Sequence, residues 1–113
     1  MKSASELIET FRREIRDTDI SRERAAELLN KLSALYGNVT EKIRETEMEY
    51  NKKFAATLAT NDSVAKAEVL SKITPEYTNF KVARDLEKVL LEMIRSLKFY
   101  CKAKDNEFFE GTR

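Results

Sequence analysis

From Glu76 to Glu110 the chain carries neither glycine nor proline, and over that stretch two sets of residues recur at the period of a helix. Lys81, Arg84, Lys88, Arg95, Lys98 and Lys102 are spaced 3, 4, 7, 3 and 4 residues apart. At ~100° per residue they fall within about 100° of one another on an α-helix. Ala83, Leu86, Leu90, Met93, Leu97 and Tyr100 fall on the opposite side. The same helix therefore offers an apolar face to its own core and a line of positive charge to something else. Tyr77, Phe80 and Phe99 lie on the charged side or at its edge, where an isolated globular helix has little use for them.

The rest of the composition points the same way. Two glycines and one proline among 113 residues, with 36% charged side chains, favour helices over sheets, hairpins and long loops. The apolar fraction of 42% is enough to form a core. A single helical domain over 1–113 is expected, all-α, as an antiparallel bundle or a helical hairpin with a long C-terminal helix. The formal net charge of +1 gives no global attraction to nucleic acid or anionic membranes, so any electrostatic function must come from local patterning.

Several function classes lose their usual residues. Without histidine the chain lacks the usual general base and the commonest nitrogen ligand for a metal. Cys101 is the single cysteine, which rules out an intrachain disulfide or a thiolate zinc cluster. Its place at the edge of the apolar face predicts a buried, inert thiol rather than a reactive one. Gly37 and Gly111 stand outside any phosphate-cradling pattern. The reading is therefore of a non-enzymatic protein without cofactor or metal. No run approaches the ~18 apolar residues of a membrane span. Met1-Lys2-Ser3-Ala4-Ser5 has no signal-peptide apolar region, so a soluble, cytoplasmic chain is expected.

Capping signals divide the chain into five helical segments. Ser3-Ala4-Ser5-Glu6 has capping-box spacing and predicts a first helix over about 4–16, with Leu7, Ile8, Phe11 and Ile15 as its stripe. Asp19 and Ser21 compete to cap the second, which carries Ala25, Leu28, Leu29, Leu32, Leu35 and Tyr36. At Gly37-Asn38 a turn or sharp kink is expected, because glycine ends helices and Asn38 with Glu41 can cap a new one. Val39 and Ile43 nevertheless continue the preceding stripe almost in phase. The alternative is one continuous helix over 22–59, ~57 Å long at 1.5 Å per residue. The third segment holds Ile43, Tyr50, Phe54 and Leu58, and Asn61-Asp62-Ser63 ends it and caps a short fourth over 64–72. Thr74-Pro75 then opens the last helix, expected to run to about Glu107 with fraying from there to Arg113.

Three charged constellations carry candidate chemistry. The first is the stripe of Lys81, Arg84, Lys88, Arg95, Lys98 and Lys102 with Phe99, a candidate surface for phosphate, nucleic acid or an acidic partner. Against it stands a solvated face, with Asp85 and Glu92 on one flank and Glu87 and Asp105 on the other supplying weak ion pairs. Burial of Phe99 by a neighbouring subunit is the structural alternative, and the commoner fate of such a ring. The second is the row Glu41, Glu45, Glu49 at i, i+4, i+8. All-α nucleotide pyrophosphatases pair Glu-x-x-Glu with a later Glu-x-x-Asp on another helix. Here Glu6-x-x-Glu9 and Glu14-x-x-Asp17 sit on one helix, which argues against a metal-dependent hydrolase. The third is the arginine group Arg12, Arg13, Arg16, Arg22 and Arg24, interleaved with Glu9, Glu14, Asp17, Asp19 and Glu23, for which mutual neutralisation is expected before anion binding.

The order of segments also carries a resemblance. Glu47-Met48-Glu49-Tyr50-Asn51-Lys52-Lys53 leads to a polar break, followed by Ser63-Val64-Ala65-Lys66-Ala67-Glu68, Glu76-Tyr77 and then Glu92-Met93-Ile94-Arg95-Ser96-Leu97-Lys98. Over roughly residues 40–107 this resembles small helical proteins from the early regions of tailed bacteriophages, often near recombination genes. The resemblance implies a setting, a phage or prophage accessory protein in the infected host cytoplasm, and transfers no functional residue.

Two functions follow as expectations. One is an accessory binding protein that blocks or sequesters a host component, a protein or a phosphate-rich ligand, for example in counter-defence. The other is an accessory of phage DNA recombination or replication that binds single strands through the basic stripe and Phe99. The wide apolar arc on the last helix favours self-association, most simply as a two-fold dimer.

Overall fold

The computed structural model describes the backbone of residues 3–111 and the side chains of residues 3–107. Four helices account for nearly all of it: α1 (Ala4–Asp17), α2 (Arg22–Ala59), α3 (Val64–Ser71) and α4 (Pro75–Gly111). Among the described residues there is no strand, as the scarcity of glycine and proline predicts. No helix is long and apolar enough to cross a membrane.

Each helix begins where a hydroxyl can satisfy a free backbone N–H. The Ser3 hydroxyl accepts from the Glu6 N–H at 3.2 Å and that of Ser21 from Arg24 at 3.1 Å. Ser63 accepts from Lys66 at 3.1 Å, and Thr74 from Tyr77 at 3.3 Å. These are the N-terminal donors that a helix cannot pair with itself. Ser21, not Asp19, caps α2. The last helix continues through Gly111, past the fraying expected from Glu107, and Met1, Lys2, Thr112 and Arg113 lie outside the described residues.

The main correction is at Gly37-Asn38, where the expected turn does not form. α2 passes through both residues, and Gly37 has no positive φ. The reason lies in the stripe. Leu28, Leu32, Leu35 and Val39 are all buried, at spacings of 4, 3 and 4, so a break at Gly37 would throw Val39 out of phase. Five expected segments thus become four helices.

The chain packs as two compact units, the first made of residues 1–38 with 88–113 and the second of 39–87. In the first, Ile8 and Phe11 of α1, Ile20, and Ala25, Leu28, Leu32 and Leu35 of α2 are buried, with Leu90, Met93, Leu97 and Cys101 of α4. The Tyr100 hydroxyl donates to the Ile20 carbonyl and so ties α4 to the connection before α2. In the second unit Val39, Thr46, Ala67, Ser71 and Ala83 are buried. The Thr46 hydroxyl escapes an unpaired state by donating back to the Lys42 carbonyl at 2.8 Å. Tyr50 organises the aromatic side chains there. Its ring lies 5.2 Å from that of Tyr77, 6.0 Å from Phe80 and 6.5 Å from Phe54, and its hydroxyl is 3.3 Å from that of Ser71.

Candidate binding face on the last helix

Helical spacing sets which α4 side chains reach solvent, and the two units divide them. In the first unit Lys88, Arg95, Lys98, Phe99 and Lys102 are all exposed, while Leu90, Met93, Leu97 and Cys101 between them are buried. Phe99 is 75% exposed, more than any other phenylalanine or tyrosine described. In the second unit Lys81 and Arg84 are exposed, and the Arg84 guanidinium stands 5.7 Å from the centre of the Phe80 ring. The expectation for Tyr77 and Phe80 is corrected here. Both are half-buried against Tyr50 and are packing residues, because the ring of Tyr50 on α2 gives them an apolar neighbour.

The cations of this face are not paired with the acids that flank it. Among the described residues, Lys81, Arg84, Lys88, Arg95, Lys98 and Lys102 form no ion pair within 4.0 Å. Asp85, Glu87 and Glu92 on its flanks are equally without one, and Asp105 is committed elsewhere. The Asp105 carboxylate accepts from the Arg22 guanidinium at 3.0 and 3.4 Å. No sequence spacing could have revealed that pair, whose members stand 83 residues apart.

The N-terminal arginines behave in the opposite way. Arg12 and Arg13 both lie near Glu9, at 3.9 and 3.4 Å, and Arg16 meets Asp17 at 2.8 Å. Arg24 grips Glu14 with two hydrogen bonds of 2.6 and 2.8 Å and Glu27 with a third of 2.9 Å. The bonds from Arg24 hold the Glu14 carboxyl below the usual carboxylate range, and Arg16 does the same to Asp17. Every arginine of that group is thus matched by an acid, which leaves it little capacity for an external anion.

The acidic row lies in the second unit. Glu41, Glu45 and Glu49 line an open groove of about 620 Å³ with Glu76 and Asn79 of α4. Lys42 and Arg44 share the groove wall, so its charge is mixed. One Glu76 oxygen is buried without a hydrogen-bond partner. Among the described residues no three acidic side chains converge closely enough to hold a metal ion. Cys101, on the inner face of α4, is a buried free thiol.

Comparison of the chain with protein-family models, curated proteins and solved structures finds no match. The surface chemistry is therefore what carries a functional reading.

Proposed function

We propose that this chain is a non-enzymatic binding protein that sequesters an anionic component of a host cell through the outer face of α4 between Lys88 and Lys102. The observation that carries the reading is the contrast in charge pairing. The N-terminal arginines are neutralised by neighbouring acids, whereas Lys88, Arg95, Lys98 and Lys102 are exposed and without an ion pair among the described residues. Cations left unneutralised on one face attract phosphate or carboxylate groups at little desolvation cost. Phe99, set among Arg95, Lys98 and Lys102, adds an apolar contact that a purely solvated face would not need. The resemblance to phage early proteins suggests a target in the infected cytoplasm and a role in counter-defence.

A second reading is supported by Phe99 specifically. An exposed ring between cations can stack on an unpaired base, worth roughly 1–3 kcal/mol per base. In that case the protein is an accessory of phage DNA recombination or replication that binds single strands.

Fluorescence anisotropy separates the two. The probes are a labelled single-stranded 20-mer, its duplex, and labelled inorganic polyphosphate. Both readings expect Arg95→Glu with Lys98→Glu to abolish binding to all three while circular dichroism stays helical. Phe99→Ala should weaken only single-stranded DNA if bases stack on the ring, and should leave polyphosphate affinity unchanged. If the unmodified protein binds none of the three, the phosphate-binding readings fail. An acidic protein surface then becomes the remaining ligand for this face.

A further inference from the structure

The second unit contains a helix whose burial is inverted. α3 (Val64–Ser71) turns its small residues inward: Ala67 and Ser71 are both 0% exposed. Their smallness suits that position, where the Ser71 hydroxyl donates to the Glu68 carbonyl at 3.0 Å and lies close to the Tyr50 hydroxyl. The larger apolar side chains of the helix turn outward. Val69 is 66% exposed, and at ~100° per residue it stands about 180° from the midpoint of Ala67 and Ser71. Ile73, in the turn that follows, is 78% exposed, more than any other large apolar side chain described. Ala65, four residues before Val69, is exposed on the same side. Ala65 and Val69 are therefore an i, i+4 pair facing solvent, with Ile73 exposed in the turn just beyond the helix, an apolar surface of the kind by which helices pack on one another.

We infer that α3 is the surface through which two copies of this chain associate, as an antiparallel pair around a two-fold axis at Val69. Three features fit that occupant. Under such an axis Val69 meets its own copy, and small Ala65 faces the end of the other copy's α3, beyond which large Ile73 stands, so the surface is complementary to itself. The charges beside it match as well. Glu68 and Lys72 share one flank, and reversing the helix places Lys72 ~3 Å along the axis from Glu68 of the second copy, at 1.5 Å per residue. Two symmetric ion pairs result. On the other flank Lys66 stays ~9 Å along the axis from its own copy by the same measure, with Leu70 between. Finally, Asp62 and Glu68 balance Lys66 and Lys72, so this surface has no net charge to attract a polyanion or an anionic membrane. A two-fold contact held by ion pairs needs both signs on one patch, and this patch has them.

This surface belongs to the second unit, and it is independent of the α4 face between Lys88 and Lys102. Analytical ultracentrifugation of the full chain at 1–100 µM, with circular dichroism of each variant, tests it. The wild type is expected to sediment as a dimer. Val69→Glu, at an exposed position, should be monomeric with unchanged helicity. Lys72→Glu alone should weaken the dimer roughly tenfold, by replacing two attractions with two repulsions. Adding Glu68→Lys to Lys72→Glu should restore it, because the swapped charges again face opposites. A wild-type monomer at 100 µM overturns the proposal. So does a dimer indifferent to Val69→Glu, or a charge swap that fails to rescue. Polyphosphate binding by the Val69→Glu monomer should match the wild type, which keeps failure here separate from failure of the α4 reading.

Discussion

Replacing Gly37 by alanine tests the continuity of α2 directly. The residue sits in the interior of the helix with no positive φ, and a Cβ built there meets nothing within 4 Å. Neither a clash nor a new packing contact can then contribute, and the effect reduces to intrinsic helix preference. Alanine is better than glycine in a helix interior by about 0.8–1.0 kcal/mol, chiefly because glycine loses more backbone freedom on folding. Gly37→Ala should therefore stabilise the protein by about 0.8 kcal/mol or slightly more. For a chain of this size that corresponds to a rise in Tm of roughly 3–6 °C. The urea midpoint should rise by roughly 0.4 M, if m is near 2 kcal/mol/M. Thermal and urea unfolding followed at 222 nm would measure both. A turn at Gly37 predicts the opposite sign, since a Cβ in the left-handed region costs about 1–2 kcal/mol. Destabilisation of that size would refute a continuous α2.

Two further outcomes follow from burial and from charge pairing. Leu28 is fully buried on α2, so Leu28→Ala should cost about 3 kcal/mol in urea unfolding, whereas Leu58→Ala, at a partly exposed position, should cost less than half as much. Glu14 has its folded pKa depressed by Arg24, so its contribution is fully present above the usual carboxylate pKa of about 4.3 and is lost as pH falls through the folded value. Glu14→Gln should accordingly be less stable than the wild type at pH 7, by a margin that shrinks as pH falls below the usual carboxylate range, and a difference that stays constant on acidification would contradict the pairing.

The sequence made some of this structure legible and hid the rest for physical reasons. Ser3, Ser63 and Thr74 announced their helices because capping is local, needing only a hydroxyl three residues before a free N–H. The buried and exposed faces of α4 were readable because helical period fixes an angle for every residue. Gly37 misled because glycine is permissive: it can end a helix or continue one, and only the burial of Val39 in phase with Leu35 decides. Period gives angles but not neighbours, so Tyr77 and Phe80 looked like surface aromatics until Tyr50 stood beside them. For the same reason Asp105 looked like a partner for the basic stripe, when Arg22 holds it. The inversion of α3 was invisible too, since Val64, Ala65, Ala67, Val69 and Leu70 are apolar on nearly every side and only packing chooses the inner one.

The claim that the α4 face binds a polyanion is tested most directly by the salt dependence of affinity. If Lys88, Arg95, Lys98 and Lys102 each neutralise one phosphate of single-stranded DNA, four contacts at ~0.7 each give a slope of about −3 in log K against log salt. Affinity should then fall roughly fiftyfold between 50 and 200 mM salt. Arg95→Ala with Lys98→Ala should halve that slope without altering helicity. A slope near zero for the wild type, or a slope unchanged in the double variant, would contradict the account.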